Sequence, residues 1–441
     1  MHHPRLSVLS VLAVALLCGP AVLLRVPTPR DDMVIKHKWD VIPDNWISLG
    51  PPPDRTTIDL RISLRPNQKN ALTDVLLEVS QPGHPKQVLF ITLCSRVNPV
   101  PLVRFRYGAH LSMEQVAELV APHPNTLKLV TSWLEHNGVP TSSISATLAG
   151  GWLAITDVPV SQANELLGAS YQLYYHAGRN DTILRTAGYA LPGALHEHVK
   201  TVIPTTAFTS TRLLQQTSGH RSGEAAESNV TSGGPVNMPS RRQIPPDNEV
   251  SVLRSMYHTA TYEPNPALTR NMLGIVGHND EFPRLDDLLK FMKRFRSDGI
   301  TQTVDFKTID KNVPEGNPSF RANMFTQYAA AMAFPIPITF YRGTGTRTYT
   351  ENPNPGQADV VLQWLEYTVG RQDIPQTIGL MTDGTTEMDI PLEYAESVCE
   401  QFEILGARGV TVLVATGDSG VGGGPCKKFS INFPASCTCG F

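Results

Sequence analysis

Val410-Thr411-Val412-Leu413-Val414-Ala415-Thr416-Gly417-Asp418-Ser419-Gly420 is the stretch on which the reading of this chain turns. A short run of apolar and β-branched residues cut off by a glycine-flanked turn suits a strand buried on both faces better than a helix. The same grammar recurs upstream. Leu273-Gly274-Ile275-Val276-Gly277 and Ile336 to Tyr341 read as buried strands. Leu285 to Phe295, Val360 to Val369 and Leu392 to Leu405 read as helices, the last begun by Asp389 and Pro391. Strands alternating with helices predict a doubly wound parallel sheet. Ligands of such sheets sit at the carboxyl ends of strands, so the turn after Ala415 is where chemistry is expected.

Before this unit the pattern is mixed. Met113 to Val120, Thr126 to Leu134 and Ser161 to Leu167 carry helical spacing, with Gly138 placed to stop the second, and Trp152 to Ile155 reads as a buried strand. From about Val34 to Val202 this predicts a small α/β domain. Thr205 to Asn248 is rich in Ser, Thr, Gly, Gln and Pro and loses the hydrophobic period. It reads as a linker, and Arg241-Arg242 gives it a possible processing point.

Composition narrows the function classes. The 441 residues include 37 basic and 40 acidic side chains, a formal net charge of −3, and offer no field for gripping nucleic acid or an anionic membrane. Leu6 to Leu17 is almost unbroken apolar sequence, followed by the small residues Cys18, Gly19 and Ala21 and then by Arg25, Arg30, Asp31 and Asp32. Residues 1–24 therefore read as a secretory signal peptide, which implies a secreted, extracellular protein. The sequons at Asn180 and Asn229 would accept glycans on that route. Cys18 leaves with the signal and Cys94 stands alone, while Cys399, Cys426, Cys437 and Cys439 crowd the C-terminal part and allow three pairings. Their spacing lacks the C-x-x-C pattern of a structural zinc site, and no metal is assigned to them.

Gly417-Asp418-Ser419-Gly420 also occurs around the nucleophile of chymotrypsin-like peptidases. That reading fails on context, because the histidines after the linker are only His258 and His278 and the region has helical periods where two β-barrels are required.

A second resemblance spans nearly the whole chain. Tyr107-Gly108-Ala109-His110-Leu111-Ser112, Ala121-Pro122-His123-Pro124, Val158 to Asn164, Leu166 to Tyr171 and Gly188-Tyr189-Ala190-Leu191-Pro192 resemble the propeptide of the sedolisin family of serine-carboxyl peptidases, fungal secreted tripeptidyl-peptidase type. Leu405 to Val410, Thr416 to Gly424 and Phe433-Pro434-Ala435-Ser436-Cys437 resemble its peptidase domain. The resemblance implies a subtilisin-like α/β fold with a Ser nucleophile, a Glu base, an Asp that orients the Glu, and a second Asp at the oxyanion. Asp418 matches the oxyanion position; a turn-capping Asp is the plainer alternative. A carboxylic acid donates a hydrogen bond to developing negative charge only while neutral, so the implied chemistry is acidic.

The resemblance also exposes departures. The family's Asn-Pro-Gly-x-Glu-Ala-Asn-Leu-Asp-x-Gln-Tyr stretch aligns with Asn317 to Tyr328, which puts Arg321 where the base belongs and Phe325 where its orienting acid belongs. A guanidinium stays protonated and a phenyl ring accepts nothing, so neither side chain can carry the proton. Asp389 and Glu393, also four apart, read instead as a helix N-cap and a first-turn charge. The family's Ser-Gly-Thr-Ser segment and its calcium ligands lie beyond the point matched by Phe441. The implied calcium therefore has no ligands here, and the chain reads as C-terminally truncated. The apolar stretch 87–106 has no counterpart in the family.

The expected organisation is a signal peptide (1–24), a propeptide or activation domain (25–204) with an atypical insert (87–106), a linker (205–248) and a truncated, incomplete subtilisin-like peptidase domain (249–441). The expected function is that of a secreted acid serine-type peptidase precursor releasing N-terminal tripeptides, inactive as the chain stands. The alternative is a non-catalytic pseudopeptidase, or a propeptide-type inhibitor or chaperone of related peptidases. Its expected partners are polypeptide substrates or its own propeptide, with no nucleic acid, no membrane and a monomeric state.

Overall fold

A computed structural model describes residues 32–81, 107–147, 151–179, 181–209, 249–265, 271–277, 281–309, 318–342, 359–381, 384–417, 421 and 429–437. The signal segment, the insert 87–106, Asn180, Asn229, Arg241, Arg242 and Asp418 lie outside the described residues.

The N-terminal unit runs β1 (Met33–Lys38), β2 (Trp46–Gly50), β3 (Thr57–Leu64), α1 (Ala71–Ser80), α2 (Met113–Val120), α3 (Pro124–His136), β4 (Ile144–Ala146), β5 (Trp152–Pro159), α4 (Val160–Leu167), β6 (Tyr171–His176), β7 (Asp181–Thr186), β8 (Gly188–Pro192) and β9 (Val199–Ile203). Its sheets are antiparallel, ordered β4-β5-β3-β9, β2-β6-β7 and β1-β8. Ile58, Leu60, Ile62 and Leu64 alternate along β3 and all point into the core, as a half-buried strand requires. Against them pack Leu129, Val130, Trp133 and Leu134, which recur on one face of α3. That helix begins with Pro124 at its first position, where a missing N–H is harmless, and is followed by Gly138 at φ +77°. Ser112 opens α2 through a reciprocal capping box with Gln115.

The C-terminal unit runs α5 (Glu249–Met256), β10 (Leu273–Val276), α6 (Leu285–Phe295), β11 (Val304–Thr308), α7 (Phe320–Ala333), β12 (Ile338–Arg342), α8 (Val360–Val369), β13 (Thr377–Leu380), α9 (Leu392–Ala407) and β14 (Thr411–Val414). Its five strands are all parallel, in the order β11-β12-β10-β13-β14. The chain moves outward from β10 to β11, returns to β12, then crosses to the far side for β13 and β14. Ile275 and Phe340 face a layer of α5, α6 and α7, whereas Val276 and Tyr341 face α8 and α9. The sheet is thus doubly wound, as the alternating pattern predicts.

Three local expectations change. The strand expected from Ile336 starts at Ile338, because Pro335 and Pro337 have no N–H to give the ladder. β14, read as buried on both faces, is covered on one: Val412 is buried while Leu413 is 50% exposed, since β14 ends the strand order and no described element lies over its second face. Asp389 does not cap α9; its carboxylate accepts from the backbone N–H and hydroxyl of Thr386, closing a separate 3-10 turn, and Glu393 alone supplies the first-turn charge.

The two units share a core. Leu72, Leu76, Val116 and Val120 pack on Ile404 and Ala407 of α9, and a Cβ on Gly406 would lie 3.0 Å from Leu76 Cδ1. Around this patch Thr73 donates to Glu403 at 2.8 Å, Lys200 reaches Glu400 at 3.2 Å and Arg61 reaches Glu366 at 2.8 Å. The composition-based linker starts at 205, yet Thr205, Thr206, Ala207, Phe208 and Thr209 are all buried, with the Phe208 N–H bonded to Asp389 O. Packing of Phe208 on Trp46, Tyr174 and Ile183 of the first unit, and of Ala207 in the core of the second, overrides their polar composition.

Burial raises the Glu366 carboxyl above its ordinary value although Arg61 pulls it down. A carboxyl raised in the folded state favours folding at low pH and loses that contribution as pH rises through the folded value. Arg61→Gln should therefore destabilise the chain by about 1–3 kcal/mol at pH 7, where the buried carboxylate loses its counter-ion, and by less at pH 4. Urea unfolding at the two pH values checks this; an equal loss at both would show that Glu366 stays ionised.

Candidate active site

The carboxyl edge of the parallel sheet is assembled from segments distant in sequence. Pro318 bridges Phe282, just past β10, and the Ser319 N–H donates to Phe282 O at 3.2 Å. The Ser319 hydroxyl then accepts from the Ala322 N–H at 3.0 Å and starts α7. The first turns of α7 are thereby fixed at this edge. Arg321 is half-buried in the opening turn, and Phe325 follows one turn later on the same face.

Phe325 turns its ring onto β13. A Cβ on Gly379 would lie 2.8 Å from Phe325 Cε1, so the glycine is what admits the ring. Phe325 shares the core of α5, α6 and α7. Phe325 packs there against hydrocarbon, and its phenyl ring has no acceptor with which to orient a base.

β14, the neighbour of β13, leads into Ala415, Thr416 and Gly417. The Ala415 N–H donates to Leu380 O at 3.3 Å and Gly417 takes φ +81°, a conformation that favours glycine. The Asn432 side-chain amide donates to Thr416 O. Asn432 is itself bridged to Thr386, and the Phe433 N–H donates to Thr385 O at 2.9 Å. A disulfide between Cys399 and Cys437 ties this returning segment to α9, resolving one of the pairings left open by sequence. Ala415 and Thr416, leading to Asp418, are thus held by β13 and by Asn432, while Asp418 and Ser419 lie outside the described residues.

The structure places the helix bearing Arg321 and Phe325 over β13, beside the strand that leads toward position 418. Sequence reasoning missed Gly379 and Asn432. Gly379 has a signal, since a glycine inside a strand pattern marks close approach; Asn432 has none. Among the described residues no group of three or more His, Cys, Asp or Glu could hold a metal ion. Among the same residues no helix is long and apolar enough to cross a membrane.

Comparisons with known proteins bear on both units. Residues 104–208 match the family described as Pro-kumamolisin, activation domain. Tripeptidyl-peptidase SED4 of Arthroderma otae is 27% identical, over 97% of this chain and 68% of its own length. A probable tripeptidyl-peptidase SED3 of Trichophyton verrucosum is 26% identical, over 94% of this chain and 67% of its own length. The chain therefore spans about two thirds of the length of these curated relatives. Among solved structures, Pseudomonas sedolisin, a serine-carboxyl proteinase complexed with pseudo-iodotyrostatin, aligns with a TM-score of 0.33 at 17% identity, covering 44% of this chain and 52% of that one. Residues 104–208 thus resemble a pro-kumamolisin activation domain, placed ahead of a parallel α/β unit, in a chain similar over most of its length to fungal tripeptidyl-peptidases.

Proposed function

We propose that this protein is the precursor of a secreted, acid, serine-type peptidase of the tripeptidyl-peptidase kind, and that the chain as it stands does not turn over substrate. The observation that carries the inactive reading is the packing of Phe325 on Gly379, with Arg321 one turn before it. Those are the positions that the resemblance reserves for a base and its orienting acid. A serine attacks a peptide carbonyl only if something accepts its proton, and a guanidinium is already full while a phenyl ring has no lone pair. Asp418 is the acid retained at the oxyanion position, where losing such a donor commonly costs about 3–4 kcal/mol of transition-state stabilisation.

The N-terminal unit acts as activation domain by holding α9 through a shared core and the Lys200–Glu400 pair, and α8 through the Arg61–Glu366 pair. The alternative reading, favoured by the same replaced positions, is a non-catalytic pseudopeptidase, or an N-terminal unit that inhibits or chaperones related peptidases.

Incubation of the purified chain at pH 4 with a chromogenic tripeptide-releasing substrate tests the proposal. Release should be no faster than with an Asp418→Ala control. Turnover clearly above that control would overturn the inactive reading.

A further inference from the structure

Tyr107 to Ser112 and Leu405 to Val410, segments of different units that both carry the resemblance to sedolisin-type precursors, meet in the fold. The Leu111 N–H donates to Ala407 O at 2.9 Å. The N-terminal unit thus supplies a donor to the last turn of α9, where carbonyls have no partner inside the helix. A backbone bond between two units demands close approach, and two glycines flank it.

The missing side chains are occupied from the other unit. A Cβ on Gly406 would lie 3.0 Å from Leu76 Cδ1, and one on Gly409 would lie 2.7 Å from His110 Cδ2. Gly409 also takes φ +85°, which by itself favours glycine. Gly406 has no such reason, since it lies inside α9, where alanine makes the better helix. Among the described residues, the atoms within 4 Å of its Cβ would belong to Leu76. Leu76 is buried there among Leu72, Val116, Val120, Ile404 and Ala407. Arg408, between the two glycines, bends back to its own unit and donates to Val369 O at 2.8 Å. Further back along α9 the Thr73–Glu403 and Lys200–Glu400 contacts add attraction but reject nothing. Discrimination needs a repulsive element, and a filled gap supplies one.

We propose that the N-terminal unit selects its peptidase partner by these two absences: it seats on a helix ending in Gly-x-x-Gly, inserting Leu76 and His110, and rejects a peptidase unit that carries a side chain at the Gly406 position or a bulkier one at the Gly409 position. This rests on the reading that the N-terminal unit inhibits or chaperones related peptidases, and it names the partner class as parallel α/β peptidase units that keep both glycines at the end of the helix corresponding to α9.

The test uses the full chain with a C-terminal affinity tag, nicked within 210–248 by limited trypsin and held by its tag while release of the N-terminal half is timed. Gly406→Leu should speed release about tenfold or more, the effect of an overpacked contact. Gly409→Asn, which tolerates the left-handed backbone, should act in the same direction. Leu76→Ala placed on the Gly406→Leu chain should slow release again, a rescue across the interface that general damage to the second unit would not show. Should Gly406→Leu fail to fold, Gly406→Ala, the better helix former, should still speed release. A release rate unchanged by the folded glycine variants, or no recovery with Leu76→Ala, would overturn the proposal. Mixing in nicked, isotope-labelled, untagged chain then separates the two levels. Labelled N-terminal halves should move onto tagged wild-type second halves and not onto Gly406→Leu ones, and equal transfer onto both would overturn the proposal. No transfer onto wild-type halves, with release rates still differing, would overturn the reading that this unit acts on other peptidases and leave the glycine pair as the determinant of its hold on its own second half.

Discussion

Arg185→Ala should destabilise the chain by about 3–5 kcal/mol, the largest effect expected of any single side-chain truncation here. Arg185 lies in β7 at 1% exposure, and its guanidinium donates to Ala207 O at 2.6 Å, Leu184 O at 2.9 Å and Thr209 Oγ1 at 3.3 Å. Burial lowers its pKa to about 10, while Asp359, Tyr171 and Asp181 hold it up, so it remains charged at neutral pH. Alanine would leave those buried acceptors without donors, open a cavity and strip Asp359 and Asp181 of a nearby cation. Asp359 belongs to the second unit, where it caps α8 by accepting the Leu362 N–H at 3.0 Å. The loss should therefore weaken both the exit of the activation domain at Ala207 to Thr209 and its seat on α8. Lysine should recover only part of the stability, because one ammonium cannot reproduce the planar fork. Denaturant unfolding checks this, and a loss below about 1 kcal/mol would show that the buried cation costs nearly as much to desolvate as its bonds return.

Removing the Cys399–Cys437 disulfide has the next largest expected effect. It closes a sequence separation of 38 residues, for which the chain-entropy account gives about 4 kcal/mol. Cys399→Ser with Cys437→Ser should lower the urea midpoint accordingly. Hydrogen exchange should rise most at 415–417 and 429–437, because Asn432 reaches Thr416 O only while its segment is held against α9. An unchanged midpoint would mean that the backbone bridges to Thr385 and Thr386 suffice.

How far the sequence reveals this molecule depends on whether a signal is local. Leu285–Phe295 and Val360–Val369 are legible to the residue, because an apolar stripe and its ends are properties of one segment. The antiparallel strands of the activation domain are harder. β1 pairs with β8 and β3 with β9, partners far away in the chain, so no hairpin turn announces them. β14 looks fully buried because its residues are apolar on both faces, and only the strand order shows which face is covered. At the site, Arg321 and Phe325 are legible as a pair since helix geometry fixes their common face. The hold of Asn432 on Thr416 is not, because it depends on a disulfide and a bridge contributed by other parts of the fold. The Thr386-to-Asp389 capping box has the T-x-x-D signature, but Pro391 two residues on makes Asp389 look equally like the cap of α9.

α9 is answerable to two masters. One side of it, through Val398, Phe402 and Leu405, shares the core of the parallel sheet with Ile378, Leu380 and Val412, while Ile404 and Ala407 lie under Leu72, Leu76, Val116 and Val120. Cutting the connecting segment would therefore not by itself free the leading domain. Detachment means wetting a shared hydrocarbon surface, so cleavage and departure are separate events, and the severed halves should behave as a non-covalent complex with its own dissociation rate.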